Sequence, residues 1–195
     1  MNKFRLAGIS GSLRQGSSNT AILRTLQASL PPEVEMTLLP LEGIPLYNQD
    51  LDGPNPPEAV REFKAAVESS DGVVMCSPEY NFGMPGVLKN AIDWASRPAF
   101  ASPLKGKPVL VMTCSPAFTG GVRAQAQLRE TLGGALSRVI SRPQVVIAGV
   151  NAKIEGGRLT DPASLSFALE AVNDLLAEIG LLRAARTPAM QPAEG

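Results

Sequence analysis

Eleven consecutive residues near the amino terminus, Ser10-Gly11-Ser12-Leu13-Arg14-Gln15-Gly16-Ser17-Ser18-Asn19-Thr20, crowd hydroxyls, glycines, amides and one arginine between an apolar run and a helical pattern. A helix beginning there presents unpaired N–H groups and a partial positive charge, a setting that favours phosphate. Serine hydroxyls add donors and Arg14 adds neutralising charge. An N-cap followed by a turn needs fewer polar groups than this. The absences narrow the ligand. Gly-Lys-Ser and Gly-Lys-Thr do not occur, so the loop that cradles a nucleoside triphosphate is excluded. The next glycine after Gly11 is Gly16, so the spacing G-x-G-x-x-G fails as well. A terminal monophosphate needs neither magnesium nor the close approach of a pyrophosphate, and it suits a hydroxyl-lined loop.

Two further segments carry chemistry. Ser77-Pro78-Glu79-Tyr80-Asn81-Phe82-Gly83-Met84-Pro85-Gly86 combines two aromatics, an amide, a carboxylate and glycines. A flat heterocycle such as the isoalloxazine of FMN asks for that mixture: apolar surface for its face, donors and acceptors for its pyrimidine edge. Thr113-Cys114-Ser115-Pro116-Ala117-Phe118-Thr119-Gly120-Gly121 is the third, and its glycines would let backbone approach a ligand. Cys76 and Cys114 each end an apolar run and read as small buried hydrophobes rather than catalytic thiols, with no basic neighbour to lower their pKa. Trp94 reads as packing or subunit contact, and Lys89 with Asp93 as a helix-surface pair.

The elements that would position these segments alternate along the chain. Phe4 to Ile9 is a short apolar run. Ala21, Ile22, Leu26 and Leu30 follow at helical spacing until Pro31-Pro32. Val34 to Leu39 reads as a strand, Pro40 to Pro57 as an irregular loop, and Val60, Phe63, Ala66 and Val67 as a helix ending near Ser69-Ser70. The unbroken apolar runs Val73–Cys76, Val109–Met112 and Val145–Ala148 suit strands covered on both faces. Pro85 is expected at the first position of a helix through Ala95. Two more helices are expected over Gly121–Leu136 and Asp161–Leu182, and Glu155-Gly156-Gly157-Arg158 as a turn. Five strands separated by helices predict a doubly wound, three-layer α/β/α parallel sheet. Ligands bind such sheets beyond the carboxyl ends of the strands, where all three polar segments fall. Residues 1–182 read as one domain. The tail from Arg183 to Gly195, with Pro188 and Pro192, is expected to be disordered, having too few apolar residues to pack.

Composition excludes several classes. Eighteen basic and eighteen acidic residues cancel, leaving no long-range attraction for nucleic acid or an anionic membrane. Histidine is absent, which removes the commonest metal ligand and neutral-pH base, so no metal site is expected. Two cysteines are too few for a disulfide framework, and no stretch is long and apolar enough to span a bilayer. A cytoplasmic location is the expectation.

GSLRQGSSN at 11–19, PEYNFGMPGVLKNAIDW at 78–94 and Gly-Lys-Pro-Val at 106–109 resemble the NADPH-dependent FMN reductase family, most closely its chromate, quinone and azo-compound reductase branch. The resemblance runs from about residue 4 to about 182. It implies a flavodoxin-like fold, FMN bound in a homodimer or homotetramer, NADPH or NADH as donor, and a small-molecule acceptor reduced in ping-pong fashion. The chemistry would lie on the FMN, with no obligatory catalytic side chain. Ser12, Arg14, Ser17, Ser18 and Asn19, within the run that also holds Leu13, Gln15 and Gly16, would surround the phosphate and ribityl chain. Glu79, Tyr80, Asn81 and Phe82, after Pro78, would border the ring, and Ser115 its far side. This chain departs from its relatives at Phe82, where many have a second tyrosine, and at Ala117, where glycine is frequent. The competing expectation is a non-enzymatic flavodoxin-type electron carrier on the same fold. Such a carrier's first loop resembles T-x-T-G-N-T, which is absent here.

Overall fold

The computed structural model describes residues 3–186. Strands β1 (Phe4–Ser10), β2 (Val34–Leu39), β3 (Gly72–Ser77) and β4 (Pro108–Ser115) are parallel, in the spatial order β2-β1-β3-β4. The fifth position is shared. Both β5 (Arg138–Val139) and β6 (Val145–Ala148) pair in parallel with β4, the former at Pro108–Val109 and the latter at Met112–Ser115. The expected fifth strand is therefore β6. The order is that of flavodoxin-like doubly wound sheets.

Helices cover both faces, which is why β3 and β4 are apolar without alternation. On one face Ile22, Leu23 and Leu26 of α1 (Ser18–Ser29) and Ala171, Leu175 and Ile179 of α5 (Pro162–Arg186) pack on Leu6, Val74, Leu110 and Met112. On the other, Phe63 and Val67 of α2 (Glu58–Ser69), Leu88 and Ile92 of α3 (Gly86–Ala95) and Leu128 and Leu132 of α4 (Val122–Gly134) pack on Ile9, Val73, Met75 and Val111. A small hairpin, β7 (Ile154–Glu155) and β8 (Arg158–Leu159), turns on Gly156 and Gly157, both at positive φ (55° and 74°).

Three expectations are corrected and a fourth is narrowed. Helix α5 continues through Arg186, past the helix end expected at Leu182; residues 187–195 lie outside those described. Pro85 precedes its helix as the extended N-cap residue, whereas Pro162, after the capping Asp161, does take the first helical position. Of the two roles expected for Trp94, packing or subunit contact, the structure shows packing, for the side chain is fully buried within the chain. Its Nε1 donates to the Pro45 carbonyl at 2.8 Å, beside an Asn90 Nδ2 bond to the same oxygen at 2.9 Å, and Tyr47 meets its ring edge-on at 4.9 Å. Trp94 and Asn90 thus strap the long Pro40–Pro57 loop onto α3. The glycines of the third segment, finally, serve packing. A Cβ on Gly120 would lie 2.3 Å from Val146 Cγ1 and one on Gly121 3.0 Å from Thr113 Cβ, and both residues have positive φ.

Candidate functional site

The loops after β1, β3 and β4 meet at the carboxyl edge of the sheet. The first leaves β1 through Gly11, whose N–H donates to the Cys76 carbonyl of β3 at 2.8 Å. It enters α1 through Ser17, an N-cap whose Oγ accepts from the Thr20 N–H at 3.3 Å. Ser17 O takes the Ala21 N–H, so the N–H groups of Ser18 and Asn19, in the first turn, have no acceptor among the described residues. Thr20 Oγ1 donates to Ser10 Oγ at 2.8 Å, and Ser12 Oγ accepts from Arg14 N–H at 3.4 Å, folding the loop on itself. Arg14 is exposed and has no carboxylate partner among the described residues.

The second loop is held from α4. Glu79 Oε2 accepts from Arg123 N–H (2.9 Å) and Ala124 N–H (3.0 Å), capping a helix whose own N-cap is Gly121. Gln127 Oε1 accepts the Met84 N–H at 2.7 Å. That contact explains Gly83, where a Cβ would come within 2.9 Å of Gln127 Oε1. Between these two anchors Tyr80 and Gly83 exchange 3.0 Å backbone bonds around Asn81 and Phe82, at φ 48° and 66°. Left-handed backbone is common for asparagine and uncommon for a bulky aromatic. The Arg123 guanidinium lies 4.2 Å over one face of the Phe82 ring, which otherwise stays exposed.

Two adjoining clefts result. One, of about 240 Å³, runs from Ser12, Arg14 and Gly16–Asn19 to Pro78–Tyr80 and Cys114–Pro116. The other, of about 420 Å³, shares Ser12, Arg14 and Tyr80 and extends over Gly11, Leu13 and Pro85–Val87. Of the expected site residues, Ser12, Arg14, Gly16, Ser17, Ser18, Asn19, Pro78, Glu79, Tyr80 and Ser115 line the first, and Leu13 the second. Gln15, Asn81 and Phe82 line neither. Val150 and Asn151, after β6, also line the first and were missed. The rule that ligands sit beyond strand ends, applied to the fifth strand, would have found them. A further cleft of about 400 Å³ lies at the opposite, amino edge. Two of its four cations are engaged in the fold: Arg183 pairs with Asp71 at 2.7 Å and Lys107 Nζ donates to the Glu68 carbonyl at 3.0 Å.

Cys76 and Cys114 are free and buried beneath the first cleft. The neighbouring Cys114 thiol, then burial, push the Cys76 thiol well above its ordinary pKa. It remains neutral, the opposite of what a nucleophilic or redox-active thiol needs.

A monophosphate fits the unpaired N–H groups, hydroxyls and lone arginine of the first loop, and a planar ring fits the wall from Pro78 to Tyr80. The model of the family described as NADPH-dependent FMN reductase matches residues 4–152. This chain belongs to the NADPH-dependent FMN reductase family. It is an FMN-dependent NAD(P)H oxidoreductase. It is 42% identical over 159 residues to an NAD(P)H-dependent FMN reductase of Pseudomonas aeruginosa, covering 81% of this chain and 85% of that one. It is 38% identical over 167 residues to a quinone reductase of Escherichia coli, covering 84% and 88%. The solved structure of FerB, a flavoenzyme NAD(P)H:(acceptor) oxidoreductase of Paracoccus denitrificans, superposes with a TM-score of 0.81 at 35% identity, covering 91% and 98%. Among the described residues no helix is long and apolar enough to cross a membrane, and no cluster of residues could hold a metal ion.

Proposed function

We propose that this protein reduces quinone-type acceptors with electrons from NADPH, or less readily NADH, using FMN seated in the two clefts of the carboxyl edge. The observation that carries the reading is the convergence of an anion-ready helix terminus and a ring-sized wall on one cleft. Bound there, FMN would supply two-electron chemistry, relaying an electron pair from the reduced nicotinamide to the acceptor. The chain's own residues bind and orient. Ser18 and Asn19 N–H groups, the Ser12 hydroxyl and Arg14 hold the phosphate end. Pro78, Tyr80 and Ser115 border the ring. No side chain transfers an obligatory proton.

The acceptor class follows from what the edge exposes. The loops after β1, β3 and β4 leave apolar side chains in solvent there: Leu13, Tyr80, Phe82 and Phe118, the last 92% exposed. Such a rim suits an apolar planar acceptor and a second copy of the chain, in a homodimer or homotetramer. A cytoplasmic setting suits two free thiols. Donor and acceptor share one exposed pocket, so double-reciprocal plots against NADPH at several quinone concentrations should be parallel. Intersecting lines would mean that both bind together. The decisive experiment is an anaerobic spectrum. NADPH alone should bleach the flavin within seconds and a quinone should restore it. Flavin that stays oxidised with NADPH, and is reduced only by a separate reductase protein, would make this chain an electron carrier instead.

A further inference from the structure

The first turn of α1 holds a buried amide whose orientation is set from below. Asn19 is 4% exposed, and its Oδ1 accepts from two thiols at once, Cys114 Sγ at 3.1 Å and Cys76 Sγ at 3.4 Å. The thiols come from adjacent strands, Cys76 near the end of β3 and Cys114 near the end of β4. A neutral thiol has one hydrogen to donate and only a weak acceptor in its sulfur. An amide held between two such donors therefore turns its oxygen to them and its NH2 away. That NH2 makes no hydrogen bond among the described residues, and Asn19 lines the first cleft beside Ser17 and Ser18. The amide nitrogen is not sealed in the interior without a partner; it opens to the cleft, where a ligand atom can reach it.

We propose that Cys76 and Cys114 are positioning residues: as paired S–H donors they fix Asn19 so that its NH2 faces the cleft and binds the monophosphate of FMN. The inference rests on the assignment of this cleft as the phosphate site. It gives the thiols a function as donors, with no redox change and no nucleophilic step. Alternatives at these positions are unequal. Serine restores an O–H donor, alanine removes the donor, and aspartate at position 19 places a carboxylate oxygen where the NH2 had been.

The test is titration of apoprotein with FMN and, separately, with riboflavin, which lacks the phosphate. Wild type should prefer FMN strongly. Cys76→Ala/Cys114→Ala should reduce that preference about tenfold, the low end for a hydrogen bond to a charged group. Cys76→Ser/Cys114→Ser should recover most of it. Asn19→Asp should bind FMN more weakly than Asn19→Ala, through repulsion between like charges, while riboflavin binding separates the two variants little. Loosened packing alone would lower both affinities together and leave the ratio unchanged. A double alanine variant that keeps the full preference overturns the proposal, as does Asn19→Asp binding FMN no worse than Asn19→Ala. Equal wild-type affinity for FMN and riboflavin would overturn the phosphate assignment itself, a different failure from the other two.

Discussion

Replacing Glu79 with alanine should destabilise the fold before it affects any chemistry. The carboxylate accepts two backbone N–H groups in the first turn of α4, from Arg123 at 2.9 Å and Ala124 at 3.0 Å. Helix α4 has no acidic residue in that turn and no side-chain cap of its own, because Gly121 occupies the N-cap. Losing a capping acceptor costs about 1 kcal/mol, and losing a negative charge at a helix N-terminus about 0.3–1 kcal/mol more. With two N–H groups affected, about 2 kcal/mol is expected for Glu79→Ala, or about 4–8 °C in Tm for a domain of this size. Glu79→Gln keeps an acceptor and loses only the charge, so about 0.5 kcal/mol is expected. Scanning calorimetry of the apoproteins measures both. Because Glu79 lies between Pro78 and Tyr80 on the cleft wall, FMN affinity should fall with stability in the same order, alanine well below glutamine. An alanine variant with unchanged Tm would refute the capping role. Unchanged Tm with lost FMN affinity would mean that the carboxylate meets the ligand directly.

Three other outcomes follow from the same geometry. Arg14→Ala should weaken FMN binding by about 1.5–3 kcal/mol and leave riboflavin almost untouched, since the guanidinium has no charged partner among the described residues; unchanged FMN retention would place the phosphate elsewhere. Phe82→Gly relieves a φ of 66° worth about 1–2 kcal/mol and gives up an Arg123 stack worth about 0.5–1 kcal/mol, whereas Phe82→Ala loses the stack and keeps the strain. The Tm order should be glycine at or above wild type and alanine below; alanine above glycine would sink the strain argument. Cys76 stays protonated in the fold at pH values where the unfolded chain ionises, so its contribution is intact below about pH 8.5 and declines as pH rises further. Urea midpoints should fall more steeply above that pH in wild type than in Cys76→Ala, and equal slopes would contradict the upward shift.

The sheet was legible because parallel strands covered on both faces leave an unmistakable mark. Val73–Cys76 and Val109–Met112 are apolar at every position, and the bounds expected for β2 and β6 are those observed. Strand β5 was not legible, since Arg138–Val139 is too short to show any period and exists only because β4 offers it an edge. The end of α5 was misjudged because Arg183 looked like the start of a polar tail. In the fold its guanidinium lies 4.4 Å over the Phe4 ring and pairs with Asp71, so a charged residue helps hold the last turns.

The site divides along the same line. Chemistry carried by adjacent residues could be read directly: the hydroxyls and N–H groups of Ser12 to Asn19 face one cleft because a single helix start gathers them. Roles created by contacts between distant residues could not. Glu79 caps a helix 44 residues away, and Asn19 accepts from thiols 57 and 95 residues away. Residue type alone could not separate a carboxylate for the ring edge from one that secures α4. It also could not distinguish a hydrophobic cysteine from a donor to a buried amide. Both contacts point the same way. Polar side chains at the carboxyl edge serve first to hold three loops against one another, and the proposed FMN site would use the groups this leaves unpaired among the described residues: the Ser18 and Asn19 N–H groups, the Asn19 NH2 and Arg14. A substitution at this edge therefore acts on FMN in one of two ways, by removing a group the ligand would bind or by releasing a loop that presents one. The ratio of FMN to riboflavin affinity distinguishes them, because removing or misaligning a phosphate-binding group changes the ratio, whereas releasing a loop lowers both affinities together.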